Sequence, residues 1–344
     1  MDPNTLKALQ GAAGGGSYSG DIAVSHDTSP YISVYPWSSG FGTKYSDPST
    51  TPTGDGQEVA FSPDGADIAV AHSTSPYITA YPWTSGTGFG TKYANPSTTP
   101  TDTAYGVAFS PDGADLAVAH NTSPYISVYP WSSGFGTKYA NPSTLPGSIG
   151  TAVAFSPDGA DIAVSYGNNS PFVSVYPWSS GFGTKYANPS TLPQHHGQDV
   201  AFSPDGADLA VVYSIISPYI YVYPWSSGFG TKYADPSTAP AGHGMSAAFS
   251  PDGADIAVSH YTSPYVSVYP WSSGFGTKYS NPSTTPTGIG KCVAFSPDGA
   301  DIAVAHDTSP YISVYPWSSG FGTKYSDPAT TPTGYCKGVA FSPA

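Results

Sequence analysis

Arginine is absent from this 344-residue chain, cysteine occurs only twice, and no apolar run reaches the ~18 residues of a bilayer-spanning helix. All ten basic residues are lysine, set against 23 acidic ones, for a formal charge of −13. A chain this acidic, without guanidinium groups, is poorly equipped to grip phosphate backbones or bases. Nucleic acid and membrane insertion are therefore excluded as expectations. Cys292 and Cys336 alone make neither a disulfide scaffold nor a cysteine-ligated zinc site of the usual spacing. Met1 to Gly16 lacks the charged and apolar regions of a secretion signal, which predicts synthesis in a cytoplasm without a signal peptide. Long helices are excluded by 39 glycines and 36 prolines. The lack of a Gly-X-Y period excludes collagen, and an aromatic content of 14% excludes a disordered chain.

What is present is a repeat. Phe-Ser-Pro recurs with its Phe at 61, 109, 155, 202, 249, 295 and 341, a spacing of about 47 residues. One Trp falls in each unit, at 37, 83, 131, 178, 225, 271 and 317. Turn residues divide a unit into four short strand candidates. In the third unit these are Val107–Phe109, Asp115–His120, Tyr125–Tyr129 and Gly136–Tyr139, the last bounded by Asn-Pro and carrying a Lys, as suits an outer edge. Seven such units predict an all-β, seven-bladed β-propeller of four-stranded blades. The first unit starts at Asp21 without its Val-Ala-Phe-Ser-Pro strand, and Gly338–Pro343 supplies one at the other end. Ring closure is expected, with the C-terminal strand completing the first blade; residues 17–344 form the propeller and 1–16 stand outside it.

The units resemble the WD40 family of propellers. Ser-Pro-Asp-Gly before the second strand and Tyr-Pro-Trp where that family often has Trp-Asp carry the likeness, over residues 21–343. The family's Gly-His and Trp-Asp dipeptides are absent. The resemblance implies architecture and, since that scaffold mostly hosts binding, a binding role.

Comparing the seven units with one another locates a candidate binding face. The Ser-Pro-Asp-Gly-Ala-Asp turn and Pro-Trp-Ser-Ser-Gly-Phe-Gly-Thr-Lys-Tyr scarcely vary, whereas two segments do. One precedes the first strand: Asp55, Thr103, Ile149, His196, His243, Ile289 and Tyr335 stand six residues ahead of the Phe. Gln57, Tyr105, Thr151, Gln198, Met245, Lys291 and Lys337 stand four ahead, and three ahead are Glu58, Gly106, Ala152, Asp199, Ser246, Cys292 and Gly338. The other segment joins strands two and three and includes Asn168, Ile215 and Tyr261. Strand alternation puts both at one end of the channel, where loops on a rigid scaffold carry recognition.

Chemical motifs are few. The six Asp-Gly-Ala-Asp units offer too few oxygen ligands for a calcium loop, and a Pro-Asp-Gly turn accounts for the first Asp. His195, His196 and His243 with Cys292 and Cys336 fit no established metal spacing, so no metal or cofactor is expected. His26, His72, His120, His260 and His306 recur at the end of strand two and read as structural. Nothing assembles a nucleophile, a base and an orienting group at a single place, and the expectation is no enzyme. The repeated Tyr-Pro-Trp aromatics either pack between blades or offer seven lectin-like sugar sites.

Asp2, Pro3 and Gly11 frame a two-turn helix with Leu6 and Leu9 on one stripe, followed by a Gly-rich tether. This opening, Met-Asp-Pro-Asn-Thr-Leu-Lys-Ala-Leu-Gln-Gly-Ala-Ala-Gly, resembles the leader of structural proteins of tailed bacteriophages. The resemblance implies a non-enzymatic virion protein, a tail fibre or head decoration, anchored to other virion proteins through Pro3, Leu6 and Leu9. Its variable face would meet a host surface glycan or protein, in multiple copies and outside the cell after lysis. A protein-binding scaffold and a sugar lectin are the alternatives.

Overall fold

A computed structural model describes residues 18–344, and the anchor assigned to Pro3, Leu6 and Leu9 lies outside them. Seven antiparallel sheets follow one another as the blades of a propeller. We number them by their middle strands: Gly20–His26, Asp67–His72, Asp115–His120, Asp161–Tyr166, Asp208–Tyr213, Asp255–His260 and Asp301–His306. The inner strands of blades 2 to 7 are Gly56–Phe61, Ala104–Phe109, Gly150–Phe155, Gly197–Phe202, Gly244–Phe249 and Gly290–Phe295. Blade 1 takes its inner strand from the other end of the chain: Cys336–Phe341 pairs with Gly20–His26, and Ile32–Trp37 lies on the far side. The ring is closed as the two incomplete units required.

Alternation along the middle strand explains how blades stack. Every middle strand is buried on both faces except at its first residue in blade 1, and its sequence alternates a large aliphatic with a small residue, save in blade 5, where Val212 follows Val211. The large side of one blade packs on the small side of the blade before it: Ile68 and Val70 on Ala23, Leu116 and Val118 on Ala69 and Ala71, Ile162 and Val164 on Ala117 and Ala119. The pattern runs round to Ile22 and Val24 on Ala303 and Ala305. Large against small lets the twisted sheets interdigitate.

A second periodic contact stitches the blades. The Trp of each blade donates its indole N–H to the last Asp of the preceding blade's Asp-Gly-Ala-Asp turn, or to Asp21 from Trp83, at 2.8 to 3.0 Å. In six of these clasps a tyrosine hydroxyl, such as that of Tyr186 on Asp161, donates to the other carboxylate oxygen. The first Asp of the turn serves the turn itself: Asp64 Oδ1 accepts from Ser62 Oγ and from the N–H of Ala66.

The expected fourth strand is abbreviated. Only blade 2 has one, Gly88–Phe89, where two extra residues lengthen the preceding turn. In the other blades a single Trp–Phe bridge remains, as between Trp37 and Phe41. Pro36 and its equivalents, Pro82 of blade 2 included, face this segment without an N–H to give, and the outermost segment is held by scattered bonds such as Gly42 N–H to Pro36 O and Tyr45 N–H to Val34 O.

Candidate functional site

Backbone hydrogen bonds bring the two variable segments together. The residue after each middle strand donates its N–H to the incoming loop of its own blade: Ser73 to Asp55, Asn121 to Thr103, Gly167 to Ile149, Ser214 to His196, Tyr261 to His243 and Asp27 to Tyr335, at 2.9 to 3.1 Å. In blade 7 the Asp307 carboxylate takes the N–H of Ile289 instead.

The inner strands then aim seven side chains at the channel. Each carries a β-bulge, and the unpaired residue is the one four ahead of the Phe: Gln57, Tyr105, Thr151, Gln198, Met245, Lys291 and Lys337. A bulge turns a side chain out of the regular alternation, and here all seven line one cavity of about 420 Å³ at the channel mouth. Glu58, Asp199, Asn168 and His196 join them.

Beneath the mouth the bore continues as a cavity of about 200 Å³ with Glu58, Asp199, Ser246 and Cys292 in its wall. Glu58 comes from blade 2 and Asp199 from blade 5, across the ring. Both are partly buried by area because they face a hollow bore, and the protein around them leaves them poorly solvated. Burial raises the proton affinity of Asp199, opposed by hydrogen bonds from the N–H of Ala247, the Ser246 side chain and the N–H of Val200. Glu58 is pushed well above the usual carboxylate range, first by burial and then by the charge of Asp199, with one backbone donor in opposition. The Cys292 thiol is raised by burial and by both carboxylates, so it is held protonated. Small residues make room: a Cβ on Gly338 would stand 2.9 Å from Glu58 Cα and Oε1.

At the rim, Lys337 Nζ lies 3.8 Å from Asp55 Oδ2 and Lys291 Nζ 3.9 Å from Asp307 Oδ2. Thr103 spends its hydroxyl on Ser73 O, His243 packs against Tyr261, Tyr335 leans on Tyr311, and Ile215 is 51% exposed. Thr103, His243, Tyr261, Tyr335 and Ile215, with Asp55, stand outside the cavity. Cys292 and Cys336 are both free and buried. Among the described residues no group of three His, Cys, Asp or Glu side chains is placed to hold a metal ion. The Trp rings are at most 6% exposed and their N–H groups are engaged, which removes them as sugar-stacking platforms.

In the sequence Glu58 and Asp199 stand among many binding-face positions with nothing to pair them. Their convergence follows from three blades of ring curvature, for which no local signal exists.

No protein-family model and no curated protein matches the chain. Several solved structures share the fold. The periplasmic gluconolactonase of Pseudomonas aeruginosa superposes with a TM-score of 0.72 at 17% identity, covering 94% of this chain and 99% of that one. A protein from Lactobacillus plantarum gives 0.73 at 17% identity, with coverage of 94% and 99%. A candidate 6-phosphogluconolactonase from Bacteroides fragilis gives 0.70 at 16% identity, with coverage of 94% and 98%. These findings correct three expectations: a non-enzymatic virion protein, the absence of enzyme activity, and a virion location. The likeness that carried them spans fourteen residues outside the described chain, whereas the likeness to proteins named as lactonases, one of them periplasmic, spans 94% of it. No local pattern joins the two carboxylates, which face one bore from blades 2 and 5.

Proposed function

We propose that the channel mouth is the active site of a hydrolase for small cyclic esters of the sugar-lactone class. The observation that carries this reading is the pair Glu58 and Asp199, two carboxylates of unequal proton affinity facing one bore. The names of similar structures supply the class of ester; fold alone supplies no activity.

The unequal environments divide the labour. Asp199, steadied as an anion by two backbone N–H groups and Ser246, ionises first and acts as general base. It takes a proton from water as the water oxygen bonds to the lactone carbonyl carbon. Glu58 retains its proton beside that charge and delivers it to the ring oxygen as the carbon–oxygen bond breaks, leaving an open hydroxy acid. Solvent exchange returns the proton from Asp199 to Glu58. Gln57, Tyr105, Thr151 and Gln198 surround the ligand with hydrogen-bonding groups suited to hydroxyls.

The test is the rate of glucono-δ-lactone opening by pH-stat, measured above the spontaneous rate. Asp199→Asn and Glu58→Gln should each lower kcat by about 100-fold or more with unchanged melting temperature. The profile should be bell-shaped, falling on the acid side as Asp199 takes up a proton and on the alkaline side as Glu58 loses one. A wild-type rate equal to background, or full activity in both variants, would sink the proposal.

A further inference from the structure

Six large apolar side chains are exposed among the described residues: Leu145, Leu192, Ile215, Ile216, Tyr261 and Tyr335. All six stand in the connections that lead into inner strands or in the loops that join middle and third strands. Five of them belong to blades 4 to 6, so apolar exposure is gathered in one sector of the ring. The other repeats show what these positions hold elsewhere. Leu145, Leu192 and Ala239 stand where every other unit has threonine: Thr51, Thr99, Thr285 and Thr331. Ile215-Ile216 and Tyr261 fill a loop that is Asp-Thr, Ser-Thr or Asn-Thr in blades 1, 2, 3 and 7. Charge divides the same way. Asp27, Asp55, Asp102 and Asp307 stand on the rim of blades 7 and 1 to 3, whereas residues 147–149, 167–170, 194–196, 214–217, 241–243 and 261–263 include no acid.

The sector is continuous with the cavity. Ile149, His196 and Met245 line the mouth from these same three blades, while Gln57, Lys291 and Lys337 make the facing wall polar. From His196, whose carbonyl takes the N–H of Ser214, the chain passes to Ile215 and Ile216, and Ile216 O takes the N–H of Tyr219 at 3.2 Å. The Tyr219 ring lies 6.0 Å from that of His243, and His243 lies 5.8 Å from Tyr261. An aliphatic and aromatic strip thus runs from the cavity wall out across blades 5 and 6. Ile215 stands in it under strain. Its loop is one residue longer than that of blade 2, and its φ of +74° is one that β-branched residues rarely take. Blade 4 makes the same turn with Asn168 at +64°, where asparagine is at ease. A strained and exposed isoleucine is kept for what it presents.

We propose that the ligand of the channel mouth is amphipathic: a hydroxylated ring at the bore carries an alkyl or aryl substituent that lies over blades 5 and 6. The inference rests on the channel mouth being the ligand site, and it narrows the lactone to one bearing such a substituent. The polar wall of blades 7, 1 and 2 faces the ring hydroxyls, and the acid-free sector takes the apolar end out of water.

The experiment is calorimetric binding of methyl, butyl and hexyl β-D-glucosides to the full chain, a pyranose ring standing in for the lactone so that nothing turns over. Affinity should rise about twofold to threefold per methylene, with one ligand bound per chain. Ile215→Asn and Ile216→Ser should each flatten that slope and leave methyl glucoside binding unchanged. Tyr335→Ser, at the exposed tyrosine outside the sector, should leave the slope as it is. Equal affinity along the series with the methyl compound bound would overturn the apolar subsite and leave the ligand site standing. No binding of any glucoside, several hexyl glucosides bound per chain, or a slope that survives in the double isoleucine variant would overturn the subsite as well. A dimer in sedimentation that the isoleucine variants dissolve, without any slope, would give the sector to a second copy of the chain. Absent lactone hydrolysis with the slope intact would refute the catalytic reading and leave this one standing.

Discussion

Asp161 receives the indole N–H of Trp225 and the hydroxyl of Tyr186, both at 2.8 Å, in a buried seam between blades. Asp161→Ala would leave both donors without a partner, and we expect a loss of about 3 kcal/mol by urea titration. The partnership was not legible in the sequence. Trp and Asp lie 62 to 64 residues apart in six of the clasps and 264 apart at the closure, Trp37 on Asp301, so repetition reveals that both recur without revealing that they meet. The repeated histidines were legible as structural, and the structure gives them a titration. Burial pushes His72, His120, His260 and His306 down to about 4, and His26 in the same direction, while Nε2 of each faces a Ser or Thr hydroxyl. Their folded proton affinity lies below the unfolded value near 6.5, so the unfolded chain binds more protons as pH falls. Stability from this source is complete above about pH 6.5 and is lost towards pH 4, by up to ~3 kcal/mol for each histidine shifted to about 4. The raised carboxylates Glu58, Asp199 and Asp301 act in the opposite sense, their contribution fading as pH rises through their folded values. Histidines outnumber them, and the urea midpoint should be lower at pH 5 than at pH 7.

The turns and bulges show what the strand pattern conveyed and what it did not. Pro-Asp-Gly announced the turn between inner and middle strands, and Gly159 there adopts φ +71° with its N–H bonded to Ser156 O at 2.8 Å. An L side chain is disfavoured at that angle, so Gly159→Ala should lower stability by about 1 kcal/mol. The same substitution at Gly167, with open space around it and no such angle, should change the urea midpoint little. The fourth strand expected at Gly136–Tyr139 and its equivalents shrinks to one Trp–Phe bridge in six blades, where the proline opposite has no N–H to donate. The bulges had no signature of their own, although variation between repeats marked the residues they expel: Gln57, Tyr105 and Lys291 differ because they are presented, not packed.

For the whole molecule, the ring was written in the two incomplete units, and the site was not. Cys336–Phe341 docks onto Gly20–His26, while Tyr18 donates its hydroxyl to Ser342 O at 2.7 Å and seals the joint. Removing residues 336–344 would strip blade 1 of its inner strand and expose the packed faces of blades 7 and 2. Such a chain should lose cooperative unfolding, read as a broadened urea transition and protease cleavage throughout, and an unchanged sharp transition would show that closure does not hold the ring. Sevenfold repetition also has an optical consequence. All seven indoles sit in the same kind of setting, each edge-on to a Phe and with its N–H on a carboxylate, so their light absorption and emission should merge into one narrow signal. That signal reports the ring as a unit and is blind to which blade opens first; a single Trp kept among six Phe replacements would turn the same emission into the reporter of one chosen seam.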